Sequence, residues 1–131
     1  MNQAIHFKTS MFDVSKEREN AINPIYGISL LEWLKEELKG ELNITKPDAE
    51  DWGWYSELQY GGNTYLIGSC AHVEEGEEPV GELEWVFQVD KSSSFMEVLL
   101  GKNKMTASDS CFVFFKELFE NNPNFKEVQI A

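Results

Sequence analysis

A chain of 131 residues with 42% hydrophobic and 26% charged side chains can bury a real core in one domain, and its composition excludes a disordered or collagen-like polymer. Acidic residues outnumber basic ones 23 to 11, giving a net charge of −12 and a pI near 4.5. That balance argues against a nucleic-acid binder, which needs clustered Lys and Arg, and against docking on an anionic membrane.

The N-terminal residues hold no basic segment followed by an apolar run, so no secretory leader is expected. No apolar stretch approaches the roughly 20 residues that cross a bilayer. Two cysteines, Cys70 and Cys111, are too few for a disulfide framework and are expected as buried thiols of a cytoplasmic protein. Neither a repeat nor a low-complexity tract divides the chain, so residues 1–131 are expected as a single domain.

In chain order, residues 4–9 alternate, with Ile5 and Phe7 on one face and His6 and Lys8 on the other, and read as a first strand. A long polar connection over 10–26 ends in a turn signal at Asn23-Pro24. Ser29, with Glu32 three residues on, is expected to cap a helix whose stripe is Leu31, Leu34 and Leu38 and whose end is a left-handed Gly40. Residues 41–45 alternate again, and the Lys46-Pro47-Asp48 step reads as a break. Trp52, Trp54, Leu58 and Tyr60 share one face of the next strand, with Ser56 between them.

A hairpin then turns at Gly61-Gly62-Asn63. A two-residue turn lays Tyr65, Ile67, Ser69 and Ala71 beside the tryptophans, a better apolar match than the face a three-residue loop would present. After an acidic loop over 74–81, Leu83, Trp85, Phe87 and Val89 alternate as another strand. A short helical piece is expected over 95–100, ending at Gly101. Thr106 to Asp109 reads as a capping box before a helix carrying Phe112, Phe115 and Phe119, which Asn121-Asn122-Pro123 stops. Val128 and Ile130 mark a last strand. Strands that follow one another without intervening helices predict an α+β fold: a single curved, mostly antiparallel sheet of about five or six strands, with two amphipathic helices on one face.

Few residues carry a chemical signal. Cys70 and His72, two apart on a strand, could begin a zinc site, but closing it would take His6 and Cys111 as well, without the short loop spacing of a zinc knuckle. The simpler reading is a half-buried strand with a small thiol and a surface histidine, and no metal or cofactor is expected. Cys111 near a helix start has no glycine-rich elbow beside it, and no Gly-x-Ser-x-Gly motif occurs, so no catalytic residue is assigned. Gly101-Lys102-Asn103-Lys104 lacks the upstream glycine and the setting of a phosphate-binding loop. Asp48, Glu50 and Asp51 gather three carboxylates in what reads as a loop, most simply accepting backbone hydrogen bonds. Trp52-Gly53-Trp54-Tyr55 is the most unusual string, with core and binding-surface readings both open and Tyr55 the expected exposed member.

The pattern Asn23-Pro24-Ile25-x-Gly27, Leu31-x-Trp33-Leu34 and Pro47-x-Ala49-Glu50-Asp51-Trp52-Gly53-Trp54-Tyr55, with Lys102-x-x-x-Met105-Thr106 further on, resembles a group of small uncharacterised bacterial proteins of similar length. The resemblance spans most of the chain and implies a single-domain bacterial cytosolic protein. It brings no activity and no site residue.

The functional expectation is a non-enzymatic protein-interaction module, inhibitor- or immunity-like, that binds a basic protein. Its candidate surface is the acidic set Glu74, Glu75, Glu77 and Glu78, continued by Glu82 and Glu84, together with Glu50, Asp51, Trp52, Trp54 and Tyr55. The alternative is a small-ligand protein or enzyme with a pocket near Trp52 and Trp54 and the carboxylates Asp48, Glu50 and Asp51.

Overall fold

The computed structural model describes residues 3–74, 76–91 and 105–130. The helical piece expected over 95–100, the Gly101–Lys104 string and Glu75 lie outside these residues.

The strands are β1 (Gln3–Thr9), β2 (Asp48–Glu50), β3 (Gly53–Tyr60), β4 (Asn63–His72), β5 (Leu83–Lys91) and β6 (Lys126–Ile130). They form one antiparallel sheet in the order β2-β3-β4-β5-β1-β6. Two helices, α1 (Ile28–Glu37) and α2 (Ser110–Glu120), complete the α+β fold among the described residues. None of these helices is long and apolar enough to cross a membrane.

Period-2 alternation sorts the side chains as expected. Ile5 and Phe7 of β1 lie beside Phe87 and Trp85 of β5, and Ile67 and Ala71 of β4 flank the same strand at Val89 and Trp85. The β3–β4 hairpin turns on Gly61-Gly62, both at positive φ (56° and 82°), the backbone that a two-residue turn between twisted strands requires. That turn sets Trp54 opposite Ser69, Ser56 opposite Ile67 and Leu58 opposite Tyr65, the register the apolar pattern demands.

Both helices cover this one face. Leu30, Leu31 and Leu34 of α1 and Phe112, Phe115 and Phe119 of α2 are fully buried in a single core. Aromatic rings dominate where α2 lands: Phe7 and Phe119 centroids lie 4.6 Å apart, Phe87 and Phe115 5.0 Å, and Phe119 and Phe125 4.9 Å. Such close, tilted pairs add to what burial alone contributes.

The helix ends differ from expectation. Ser29 is not the cap of α1; the helix starts at Ile28, behind Gly27. Its free N–H groups are met instead by Glu17, ten residues upstream, whose carboxylate accepts from the backbone N–H of Gly27 (2.8 Å) and of Ser29 (3.0 Å) and from the Ser29 hydroxyl. A charged acceptor at a helix N-terminus serves cap and dipole together, and it leaves Glu32 exposed and without a capping role. At the other end Leu38 closes the helix (φ −103°), and Gly40 does not take the left-handed form. For α2 the cap is Asp109 itself, accepting from the N–H groups of Cys111 (2.8 Å) and Phe112 (3.3 Å), not Thr106 at the head of a box.

Residues 41–45 contribute only a bridge from Ile44 to Leu58, because Thr45 bonds β3 once through its backbone and once through its hydroxyl. The edge strand forms instead at Asp48–Glu50, which the sequence presents as a loop.

Candidate binding face of the sheet

Among the described residues, α1 and α2 pack on one face of the sheet and leave the second face without a helix. Alternation lines it up in rows across four strands. Cys70 of β4 stands opposite Val86 of β5, Val86 opposite His6 of β1, and His6 opposite Gln129 of β6. One row further along, Glu84 lies between His72 and Lys8. A groove of about 860 Å³ runs over these rows, open to solvent.

One aromatic ring, that of Trp52, walls it on the β4 side. Trp52 was expected to share the core face with Trp54, and it does not. The β2–β3 hairpin pairs Glu50 with Gly53, so Asp51 and Trp52 are the two turn residues. Gly53 then re-enters the sheet at φ +150°, a backbone that disfavours any side chain. Alternation therefore starts after Trp52, not at it. Trp54 is buried in the core, its indole N–H donating to the carbonyl of Ile25 at 3.1 Å, while Trp52 folds onto the uncovered face above Gly68. The fit is close enough that a Cβ on Gly68 would come within 2.4 Å of the Trp52 ring. Tyr26 borders the groove where its carbonyl accepts the Ala71 N–H at 2.9 Å, while the residue packs against the core.

A buried asparagine holds this arrangement. The Asn20 side-chain amide donates to the carbonyls of Glu50 (3.0 Å) and Gly53 (2.8 Å), and its oxygen accepts from the N–H groups of Ile22 and Asn23. Asn23 adds a bond to the carbonyl of Asp51 at 2.8 Å. The polar connection over 10–26 thus clamps the Trp52 turn with a satisfied network, where each unpaired group would cost roughly 1–3 kcal/mol.

Charge along the groove is mixed. The Lys8 ammonium bonds Glu127 at 3.0 Å, and that hydrogen bond, followed by the attraction of the same carboxylate, raises its pKa. His72 meets Glu74 at 3.2 Å, and Lys126 meets Glu82 at 3.4 Å. Glu84 is exposed and makes no ion pair within 4.0 Å among the described residues. Glu77 and Glu78 are exposed in the β4–β5 connection with Glu74. Of the negative surface expected over 74–84, Glu74, Glu77 and Glu78 are exposed at the hairpin tip, and Lys126, Lys8 and His72 stand at its base.

Of the remaining candidate residues, Tyr55 is half-buried on the uncovered face, one strand out from the groove. Asp48 and Asp51 are exposed and Glu50 is half-buried, and none of the three lines the groove. Asp48 and Glu50 each accept the backbone N–H of the following residue, as turn carboxylates do. The pocket expected from both tryptophans and these acids accordingly takes only Trp52 from that set.

The four-residue zinc assembly is ruled out by the sheet. His6, Cys70 and His72 lie on the uncovered face and Cys111 lies in the core on the other, and no cluster of three metal-type ligands occurs among the described residues. Both cysteines are free thiols. Burial, followed by the neighbouring Asp109 carboxylate, pushes the Cys111 thiol up to about 12, and burial also raises Cys70. Neither is a thiolate at neutral pH, which removes the activated nucleophile that cysteine chemistry needs.

The sequence reading missed Tyr26, Val86 and Gln129 as groove residues. The polar half of each alternating strand is the signal that contains them, because it lists the side chains of the uncovered face once the strand order is known. Compared with protein-family models, curated proteins and solved structures, the chain matches none.

Proposed function

We propose that this chain is a non-enzymatic interaction module, of the inhibitor or immunity kind, that binds a basic protein. The observation that carries the reading is a sheet face without a helix among the described residues, whose groove is lined by Trp52, Glu84 and Glu127 and whose β4 strand leads into the exposed carboxylates Glu74, Glu77 and Glu78. A half-buried aromatic near exposed charge is a common ingredient of a protein interface. A net charge of −12 speeds encounter with a cationic partner and makes that rate fall with salt. Glu75 belongs to the same run of carboxylates in the sequence.

The small-molecule reading draws on one fact, a groove volume inside the range of roughly 300–1,000 Å³ common to ligand sites. An open channel across four strands suits a protein surface better than a ligand that must be largely enclosed.

Capture on the immobilised chain decides between them. Partners identified by mass spectrometry are expected to be basic, and to be lost both at high salt and with Gln at Glu74, Glu75, Glu77 and Glu78. Partners retained equally by the variant, or none of basic character, would refute the reading.

A further inference from the structure

We infer that the groove seats one arginine or lysine side chain of the basic partner, its aliphatic stem on Trp52 and Val86 and its charged head at Glu84. This rests on the partner reading above and names the part of the surface that reads the partner.

Along the outer face of β5 the residues run Gln88, Val86, Glu84, which places an amide, an aliphatic surface and a carboxylate in line. Trp52 lies over Gly68, the cross-strand neighbour of Gln88, so the indole stands at the Gln88 end of that line, away from Glu84. Residues two apart on a strand are spaced by about 7 Å, close to the reach of a long cationic side chain. Lys and Arg bury their stems on apolar surface while the head group stays polar. An acidic partner side chain would be repelled by Glu84, and a neutral one would gain at most a hydrogen bond there without charge attraction.

The rest of the groove leaves Glu84 available. The one lysine beside it, Lys8, already bonds Glu127, and His72 on the other side is engaged with Glu74. Glu84 itself has no counter-ion within 4.0 Å among the described residues, although its field reaches Lys8. An incoming cation therefore gains a carboxylate without displacing an existing pair.

The test titrates the full chain with a hexa-arginine peptide, with hexa-glutamate as the opposite-charge control, and follows the Trp52 indole N–H and the Val86 amide by NMR. Both signals are expected to move with hexa-arginine and not with hexa-glutamate. Glu84→Gln is expected to weaken binding about fivefold, the value of one well-placed exposed ion pair, while Glu77→Gln with Glu78→Gln changes it by less than about twofold. Glu84 is exposed, so its substitution leaves the fold intact. The inference is overturned if Glu84→Gln changes the affinity by less than about twofold. It is equally overturned if the hairpin variant weakens binding as much as Glu84→Gln, or if the Trp52 and Val86 signals stay still. Each of those results leaves the basic-partner reading to the capture experiment, so the two fail separately.

Discussion

Asp109→Asn is the perturbation whose cost can be worked out most fully. The Asp109 carboxylate, 4% exposed, bonds the Lys91 ammonium at 3.0 Å, and Lys91 is itself only 14% exposed. The same oxygen accepts the Tyr65 hydroxyl at 2.9 Å, while the other caps α2. Asparagine is nearly as good a cap as aspartate, so the substitution keeps the helix start and removes the charge. Lys91 then loses its anion, and one amide oxygen cannot serve both the helix N–H groups and the Tyr65 hydroxyl. Breaking a fully buried pair costs roughly 3–5 kcal/mol, and Lys91 retains some reach to water, so the net loss is about 2–3 kcal/mol. The pH dependence has a definite sign. Burial works to raise the Asp109 carboxyl, but the hydrogen bonds from Lys91, Tyr65 and the helix N–H groups outweigh it, leaving it below the ordinary aspartate value. A carboxylate depressed in the folded state stabilises fully above its unfolded pKa of about 4, and the contribution is lost as pH falls through the folded value. Urea unfolding followed by tryptophan emission should show the full gap between wild type and variant at pH 7, shrinking below about pH 4 as wild-type Asp109 protonates. A gap under about 1 kcal/mol at pH 7, or one that stays constant into strong acid, would refute the account.

Substitutions at three other places test separate parts of the fold. Glu17→Ala should cost about 1–2 kcal/mol by stripping the cap from α1, read as a lower urea midpoint, whereas Glu32→Ala should change it little. The hydroxyls of Ser56 and Ser69 are buried without partners on the core face, so Ser56→Ala and Ser69→Ala should leave the stability unchanged or raise it by up to about 1 kcal/mol, read as an unchanged or higher thermal midpoint. Phe119→Ala should cost about 3–5 kcal/mol in the same urea assay, since its ring meets Phe7, Phe87 and Phe125 and no exposed group can fill the void.

The sequence makes the fold legible wherever one residue's place follows from its neighbours at period 2 or 3.6. The β3–β4 register is the clearest instance: Gly61-Gly62 limits the turn, and the apolar faces on either side admit one pairing. The stripes Leu31–Leu34 and Phe112–Phe115–Phe119 place both helices for the same reason. Legibility ends where a distant group decides. Glu17 caps a helix that starts eleven residues later, and the nearby Ser29 and Glu32 offer a plausible local motif that the fold does not use. Asn20, in a polar stretch indistinguishable from a solvated loop, is 5% exposed because the carbonyls of Glu50 and Gly53 converge on it. Trp52 was misplaced because alternation was extended through a turn that only the pairing of Glu50 with Gly53 reveals.

The same logic explains why the candidate site was the least legible part. Core residues are marked in the sequence by being apolar in phase, and each strand announces its own inner face. The uncovered face is assembled from what is left over, and its rows join residues as far apart as His6, Cys70, Val86 and Gln129. No local motif links these positions, since β1 enters the sheet between β5 and β6, the strands farthest from it in the chain. The acidic run over 74–78 draws the eye by its charge, but Lys126, Lys8 and His72 reach the base of that surface from three different strands. Within the groove, Glu84 is left without an ion pair among the described residues, while Glu77 and Glu78 stay exposed in the β4–β5 connection. Where charge is left uncompensated on this face is therefore decided by the strand order, which brings Lys8, His72 and Lys126 beside the acids, and not by the net charge of −12.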